Sequence, residues 1–377
     1  MKDRRELAPS NFSPHTSHLS LRLHIHRPSC LPLPVQTSAA PLLTELLEAV
    51  SRSFYLTLRV LPAGVRSQIG LAYLLARTTD TIADTELVPV SRRLAALNEF
   101  RGAIESRSAS AAISFRDLAE AQPQHPGGGT NAERLLLERA GEAVAMLNSF
   151  SPKDQRRIRE VLATITSGQE LDLQRFGGAN AERIGALATD AELDDYTYRV
   201  AGCVGEFWTK MCRAHLFPGA PLDDAVLLRD GVRFGKGLQL VNILRDLPRD
   251  LKQGRCYLPL ERLVRAGLRP EDLLHAGSVQ KLRPVYDELV EAAEAHLAAG
   301  WAYTNSLPRS GWRIRLACAW PILIGVKTLA QLRKENPLDA ARRVKVTRPE
   351  VRSLVAASLL KYPFPGAWKG LFVRAKG

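Results

Sequence analysis

Gly237-Leu-Gln-Leu-Val-Asn-Ile-Leu-Arg-Asp-Leu-Pro-Arg-Asp250 sets Gln239, Asn242, Asp246 and Asp250 at intervals of three, four and four, among Leu238, Leu240, Val241, Ile243, Leu244 and Leu247. Residues at those intervals share one face of an α-helix, so the stretch predicts a helix that is apolar except for a single polar stripe. A second stretch is built the same way. In Tyr73-Leu-Leu-Ala-Arg-Thr-Thr-Asp-Thr-Ile-Ala-Asp84, Tyr73, Arg77, Asp80 and Asp84 fall at intervals of four, three and four, with Leu71, Leu74, Leu75, Thr78 and Ile82 on the apolar side. Asp and Asn turned into a protein interior are costly unless paired or metal-bound, so two such stripes imply a lined cavity. Carboxylates four apart lie about 6 Å apart along the axis and repel unless something positive stands between them. Magnesium binds through a few carboxylates and keeps its other positions for water or phosphate oxygens, so two facing Asp pairs make a cradle for a magnesium diphosphate. Arg77, Arg245 and Arg255 supply forked donors that suit phosphate. The competing account, a structural ion-pair network, would need several bare charges in the interior.

Around these stretches the pattern is helical from Leu42 onward, with breaks at Pro or Gly. The periodicity predicts an all-α domain, with helices over about 41–60, 64–85, 90–107, 131–149, 152–177, 190–214, 221–250, 278–305, 310–335 and 347–361. Pro248 removes a backbone donor and should end or bend its helix. Residues 1–40 are rich in Pro, Ser and His and read as a disordered leader. The glycines at 127–129 follow no strand, so they carry no nucleotide fingerprint and read as a surface connector.

The balance of 52 Lys+Arg against 39 Asp+Glu, a net +13, points to an anionic partner. The bases are spread along the chain, without a zinc-finger spacing or an aromatic-Gly RNA signature, which disfavours nucleic acid. Five scattered cysteines without a C-x-x-C fit reduced thiols in a cytoplasmic protein. The longest apolar run, Leu316 to Val326, contains Pro321, stops at Lys327 and is too short to span a bilayer. In the last segment, 362–377, Tyr362, Phe364, Trp368 and Phe372 alternate with Lys369, Arg374 and Lys376, after Lys361. This reads as a basic, aromatic tail for peripheral contact with a membrane.

Four segments in order carry a resemblance. They are Ser51-Arg-Ser-Phe-Tyr55, the run from Tyr73 to Asp84, Tyr196-Thr-Tyr-Arg-Val-Ala-Gly-Cys-Val-Gly205, and the run from Gly237 to Asp250 followed by Gln253-Gly-Arg-Cys-Tyr-Leu-Pro259. Together they resemble the squalene and phytoene synthase family over roughly 42 to 360. The resemblance implies an isoprenoid synthase fold, a single helical domain (41–361) around a central cavity that holds two prenyl diphosphates with magnesium. It implies Asp80, Asp84, Asp246 and Asp250 as magnesium ligands, Arg52, Arg77, Arg245 and Arg255 as diphosphate contacts, and Tyr196 as a proton shuttle. Gly202 and Gly205 match positions where a helix approaches a prenyl tail. Phe54, Tyr73, Gln239 and Asn242 match cavity positions beside a reductive half-site, and Asp172 a polar position in the same cavity. The segments 316–330 and Arg342-Arg-Val-Lys-Val-Thr-Arg348 look more like squalene synthases than phytoene synthases.

The implied reaction joins two farnesyl diphosphates through presqualene diphosphate to squalene, with NADPH supplying hydride. The alternatives are a sister enzyme that makes presqualene diphosphate, dehydrosqualene or phytoene without NADPH, and a non-catalytic assembly factor. The intact Asp pairs argue against the last, because a protein freed from catalysis gains stability by losing clustered buried acids. Oligomeric state is left open.

Overall fold

The computed structural model describes residues 42–51, 54–106, 113–122 and 129–377. The leader, Cys30, Arg52, Gly127 and Gly128 lie outside the described residues. Helices follow in the order α1 (Leu47–Ser51), α2 (Tyr55–Val60), α3 (Ala63–Ala83), α4 (Val90–Glu105), α5 (Arg116–Glu120), α6 (Gly129–Glu138), α7 (Ala140–Leu147) and α8 (Pro152–Phe176). Then come α9 (Asp190–Thr197), α10 (Cys203–His215), α11 (Asp224–Lys252), α12 (Leu260–Arg265), α13 (Val279–Ser306), α14 (Trp312–Leu332), α15 (Arg348–Lys361) and α16 (Pro365–Lys376). The all-α expectation is met.

Local sequence fixes the starts of the long helices. Ser151 accepts a hydrogen bond from the Asp154 amide, with Pro152 in the first turn, and Asp223 does the same for the Val226 amide. Thr347 and Glu350 close a reciprocal capping box at α15. The stretch 190–214, expected as one helix, is interrupted by a π turn at Tyr198–Gly202. There the backbone meets α11 so closely that a Cβ on Gly235 would lie 2.1 Å from the Ala201 carbonyl oxygen. One turn later, a Cβ on Gly205 would lie 1.8 Å from the Gly231 carbonyl oxygen. Glycine is therefore required where α10 crosses α11, and the extra residue of the π turn sets which side chains of α9 and α10 face inward.

Pro248 neither ends nor breaks α11, which continues to Lys252. The Leu244 carbonyl, deprived of the Pro248 donor, accepts instead from the buried Tyr286 hydroxyl of α13 at 3.0 Å. That bond keeps Asp246 and Asp250 on one continuous helix. Just beyond it, Gly254 turns with a positive φ of 78°, and a two-residue strand (β2, Arg255–Cys256) pairs in parallel with β1 (Gly185–Ala186). A Cβ on Gly254 would sit 2.3 Å from the Asn180 amide nitrogen, so this turn admits only glycine. The ladder anchors Arg255 at the end of α11.

The segment 362–377 is no free tail. It forms α16, whose Trp368, Leu371, Phe372 and Ala375 are buried. Trp368 stacks on Trp301 at 5.3 Å and donates its indole N–H to Asn305, while the buried Arg315 guanidinium lies 5.5 Å from the Tyr362 and Trp368 rings. The compact unit accordingly extends to Gly377 rather than stopping at 361. Trp368 and Phe372, expected to reach a membrane, are core.

Candidate functional site

Helices α3, α8 and α11 and the π turn enclose two adjoining cavities. One, of about 610 Å³, is polar and lined by Asp80, Asp84, Gln169, Asp172, Arg255 and Tyr257, among others. The other, of about 350 Å³, is apolar, with Phe54, Tyr73, Val161, Trp208, Phe234 and Leu238 in its wall. Asp80 and Val200 belong to both walls, so the compartments meet at the first acidic pair.

The Asp80 side chain is 48% exposed, yet it opens onto the cavity with protein packed around it. Burial, then the neighbouring Asp84, raises its carboxyl to about 7. Its supports are a hydrogen bond from Gln169 and the Arg77 guanidinium at 4.0 Å. Arg77 itself is bound to Glu133 of α6, so it reaches Asp80 only at the edge of ion-pair range. Burial raises Asp84 as well, against the pull of Arg255 and Arg77.

The second pair is divided. Asp246 receives hydrogen bonds from Arg245 and from Arg343, at 3.1 and 2.9 Å from the latter, and, like Asp250, belongs to neither cavity wall. Burial opposes its ionisation, but the two arginines hold its carboxyl below the usual range. Asp250 has no such partner; burial and then Asp246 push it up to about 7. Arg245 is spent on Asp246. Arg255 alone of the three described candidate arginines lines the polar cavity, where Asp172 and Asp84 favour its charge despite burial.

Tyr196 lies in the polar cavity, stacked on Tyr257 at 4.8 Å. Burial, then Asp172, raises its hydroxyl well above the ordinary value, so it stays protonated. The Tyr257 hydroxyl donates to Asp172 at 2.8 Å, while the other Asp172 oxygen is buried without a partner and the carboxyl rises to about 6, chiefly through burial. Phe54 and Tyr73 stack at 5.3 Å in the apolar cavity, with Asn242 beside them. Gln239 lines the polar cavity and accepts from Asn242 at 3.4 Å, so the expected cavity set spans the two compartments. Gly205 lines the apolar cavity, but Gly202 does not: its Cα faces Tyr198, Val232 and Lys236, so its role is helix packing.

Residues 47–350 match the family model described as squalene/phytoene synthase. The chain belongs to the squalene/phytoene synthase family. A presqualene diphosphate synthase of Rhodopseudomonas palustris is 31% identical over 69% of this chain and 77% of its own. A 15-cis-phytoene synthase of Synechocystis is 30% identical over 88% of each. Among solved structures, TcSQS with the ligand E5700 superposes with a TM-score of 0.69 at 23% identity, covering 88% of this chain and 89% of that one. That likeness fixes the isoprenoid synthase fold, and the family is one of prenyltransferases.

Within this family member the donor chemistry fits magnesium brought in with a diphosphate. Among the described residues no group of three or more His, Cys, Asp or Glu side chains could hold a metal alone, whereas at Asp80 and Asp250 burial outweighs the neighbouring arginines and leaves both carboxyls raised. Sequence reasoning overlooked Gln169, Tyr257 and Arg343. Gln169 has a usable signal, since it sits three residues before Asp172, next along the α8 face that lines the cavity. Tyr257 and Arg343 lie in non-helical segments where spacing says nothing about direction.

Proposed function

We propose that this protein joins two farnesyl diphosphates head to head. The observation that carries the reading is the meeting of an acidic, arginine-bearing cavity with an apolar one at Asp80, a shape suited to a charged head and a hydrocarbon tail. Magnesium held by Asp80, Asp84, Asp246 and Asp250 would neutralise the leaving diphosphate. The C–O bond of one substrate then breaks, its electron pair leaving on the diphosphate. The double bond of the second molecule captures the allylic carbon, and loss of a proton closes the cyclopropane of presqualene diphosphate. Arg255 stabilises the departing charge, Tyr196 offers a protonated hydroxyl for proton relay, and the apolar wall excludes water from the cation.

We favour a second ionisation and rearrangement that ends in squalene, with NADPH supplying the hydride. Arg343, from the segment that resembles squalene synthases, reaches Asp246, which gives a basic residue of that segment a place at the site. The second reading stops at presqualene diphosphate, and similarity to the Rhodopseudomonas enzyme favours it. Either product is a long-chain hydrocarbon or amphiphile, and this supports a cytoplasmic protein in peripheral contact with membrane. Purified protein with farnesyl diphosphate and magnesium, with and without NADPH deuterated on the transferring face, distinguishes the readings. Squalene carrying one deuterium is expected. The same product in both reactions leaves the second reading, and no C30 product at all refutes both.

A further inference from the structure

With Trp368 and Phe372 buried, the exposed apolar side chains of this part of the chain lie on a different surface. Leu360 is 74% exposed, Phe364 64% and Trp312 45%. They lie together: Arg309, three residues before Trp312, donates to the Pro363 carbonyl at 3.1 Å, and the Tyr362 hydroxyl donates back to the Arg309 carbonyl at 2.7 Å. The turn bearing Phe364, the end of α15 with Leu360 and the start of α14 with Trp312 are thus tied into one corner. Of the twelve large apolar side chains exposed among the described residues, five come from 312–373.

The charge of this corner is one-sided. Neither 306–334 nor 351–377 contains an Asp or Glu, while together they carry eleven Lys and Arg. Arg309, Arg313, Lys361 and Lys369 lie within five residues of these apolar side chains in sequence; Arg309 and Arg313 bond backbone carbonyls, and none of the four forms an ion pair with a described carboxylate. Unpaired bases around protruding aromatic and aliphatic side chains are the chemistry of an anionic bilayer interface, where apolar groups enter the acyl boundary and bases meet headgroup phosphates. A solvated surface would not collect Leu360, Phe364 and Trp312 within one corner. The corner is also close to the apolar cavity, since Ala317 and Pro321, in that cavity's wall, follow Trp312 along α14 by about 7.5 and 13.5 Å of helix rise.

We propose that the corner formed by Trp312, Leu360 and Phe364, with Arg309, Arg313, Lys361 and Lys369, docks this protein on an anionic lipid bilayer. The inference rests on surface chemistry and is independent of which product the site makes.

Flotation of the full-length protein with phosphatidylcholine vesicles, with and without phosphatidylglycerol, tests it. Wild type is expected to float with the anionic vesicles and to be released by salt. Leu360→Ser with Phe364→Ser should lower partitioning at least about tenfold. Lys361→Gln with Lys369→Gln should lower it about tenfold for anionic vesicles only. Val264→Ser with Leu274→Ser, exposed apolar positions elsewhere, should change nothing, and circular dichroism checks that each variant folds. Three results overturn the proposal: wild type that ignores anionic vesicles, serine variants that float like wild type, or a wild-type dimer that these substitutions dissociate while vesicle binding is absent.

Discussion

The two acidic pairs share a spacing and little else. At the end of α3, Asp80 and Asp84 face a cavity, Asp80 with Arg77 at the limit of contact, and both are pushed toward the neutral form by burial. On α11, Asp246 is saturated by Arg245 and Arg343 and kept ionised, while Asp250 four residues on is left under-neutralised like Asp80. Acid pairs of the same spacing therefore arrive in different electrostatic states. At three of the four carboxylates burial outweighs the nearby arginines, and at the fourth the arginines prevail. The proposed magnesium diphosphate would find its counter-charge at Asp80, Asp84 and Asp250 and would compete with arginine at Asp246.

Substitution of the acids should separate the pairs most sharply. Asp80→Asn and Asp250→Asn should each lower product formation by about 10²–10³-fold or more, while the folded protein becomes no less stable because a disfavoured buried charge is gone. Asp246→Asn should be as inactive but should also lower the melting temperature, since it strands Arg245 and Arg343. Equal stability effects for all three would erase the contrast. A smaller loss, about 10–10²-fold, is expected for Tyr196→Phe, which keeps the stack on Tyr257 and removes only the hydroxyl. An unchanged rate would exclude Tyr196 from proton relay.

Arg343 tests whether the second pair is held back by its own partner. Arg343→Gln removes the competitor at Asp246, so the magnesium concentration for half-maximal rate should fall up to about fivefold, the worth of one largely exposed ion pair of about 1 kcal/mol. A higher magnesium requirement would show that Arg343 helps to bind the diphosphate complex instead of competing with it.

The stripes were legible because helical periodicity converts sequence directly into direction, and Asp80, Asp84, Tyr73 and Asn242 all reach the cavities along it. Direction fails where the chain leaves the helix. The stack of Tyr257 on Tyr196 depends on the Gly254 turn and the β1–β2 ladder, and the reach of Arg343 to Asp246 spans 97 residues. The π turn was hidden because its residues have ordinary helical preferences, and only the crowding of Ala201 and Gly205 against α11 demands it. One signal was present and overlooked. Trp368, Leu371, Phe372 and Ala375 carry the three-four-seven spacing of a buried helix face, which charge interleaving in the same segment obscured.

The smallest expected effect is on stability against pH, and it measures the under-neutralised carboxylates directly. Asp80 and Asp250 titrate at about 7 and Asp172 at about 6 in the folded protein, all above their ordinary 3.8. The folded state thus keeps protons that the unfolded chain has released, so stability falls as pH rises from about 4 to about 7. Carboxyls held low, such as Asp246, act the other way only in acid, because their contribution is lost as pH drops below the ordinary carboxylate range. His296 opposes the trend near neutrality: burial lowers its pKa, so its neutral form favours folding as pH rises. One imidazole against four raised carboxyls, Asp84 among them, leaves the downward slope. Metal-free protein should therefore melt several degrees lower at pH 8 than at pH 5.5, and Asp80→Asn combined with Asp250→Asn should flatten the difference. Under the proposed function magnesium with pyrophosphate would bind the ionised carboxylates, and it should then raise the melting temperature more at pH 8 than at pH 5.5. A metal-free melting temperature that stays level or climbs across this range would mean that the first pair and Asp250 are already neutralised within the fold, and that the asymmetry between the pairs does not exist in solution.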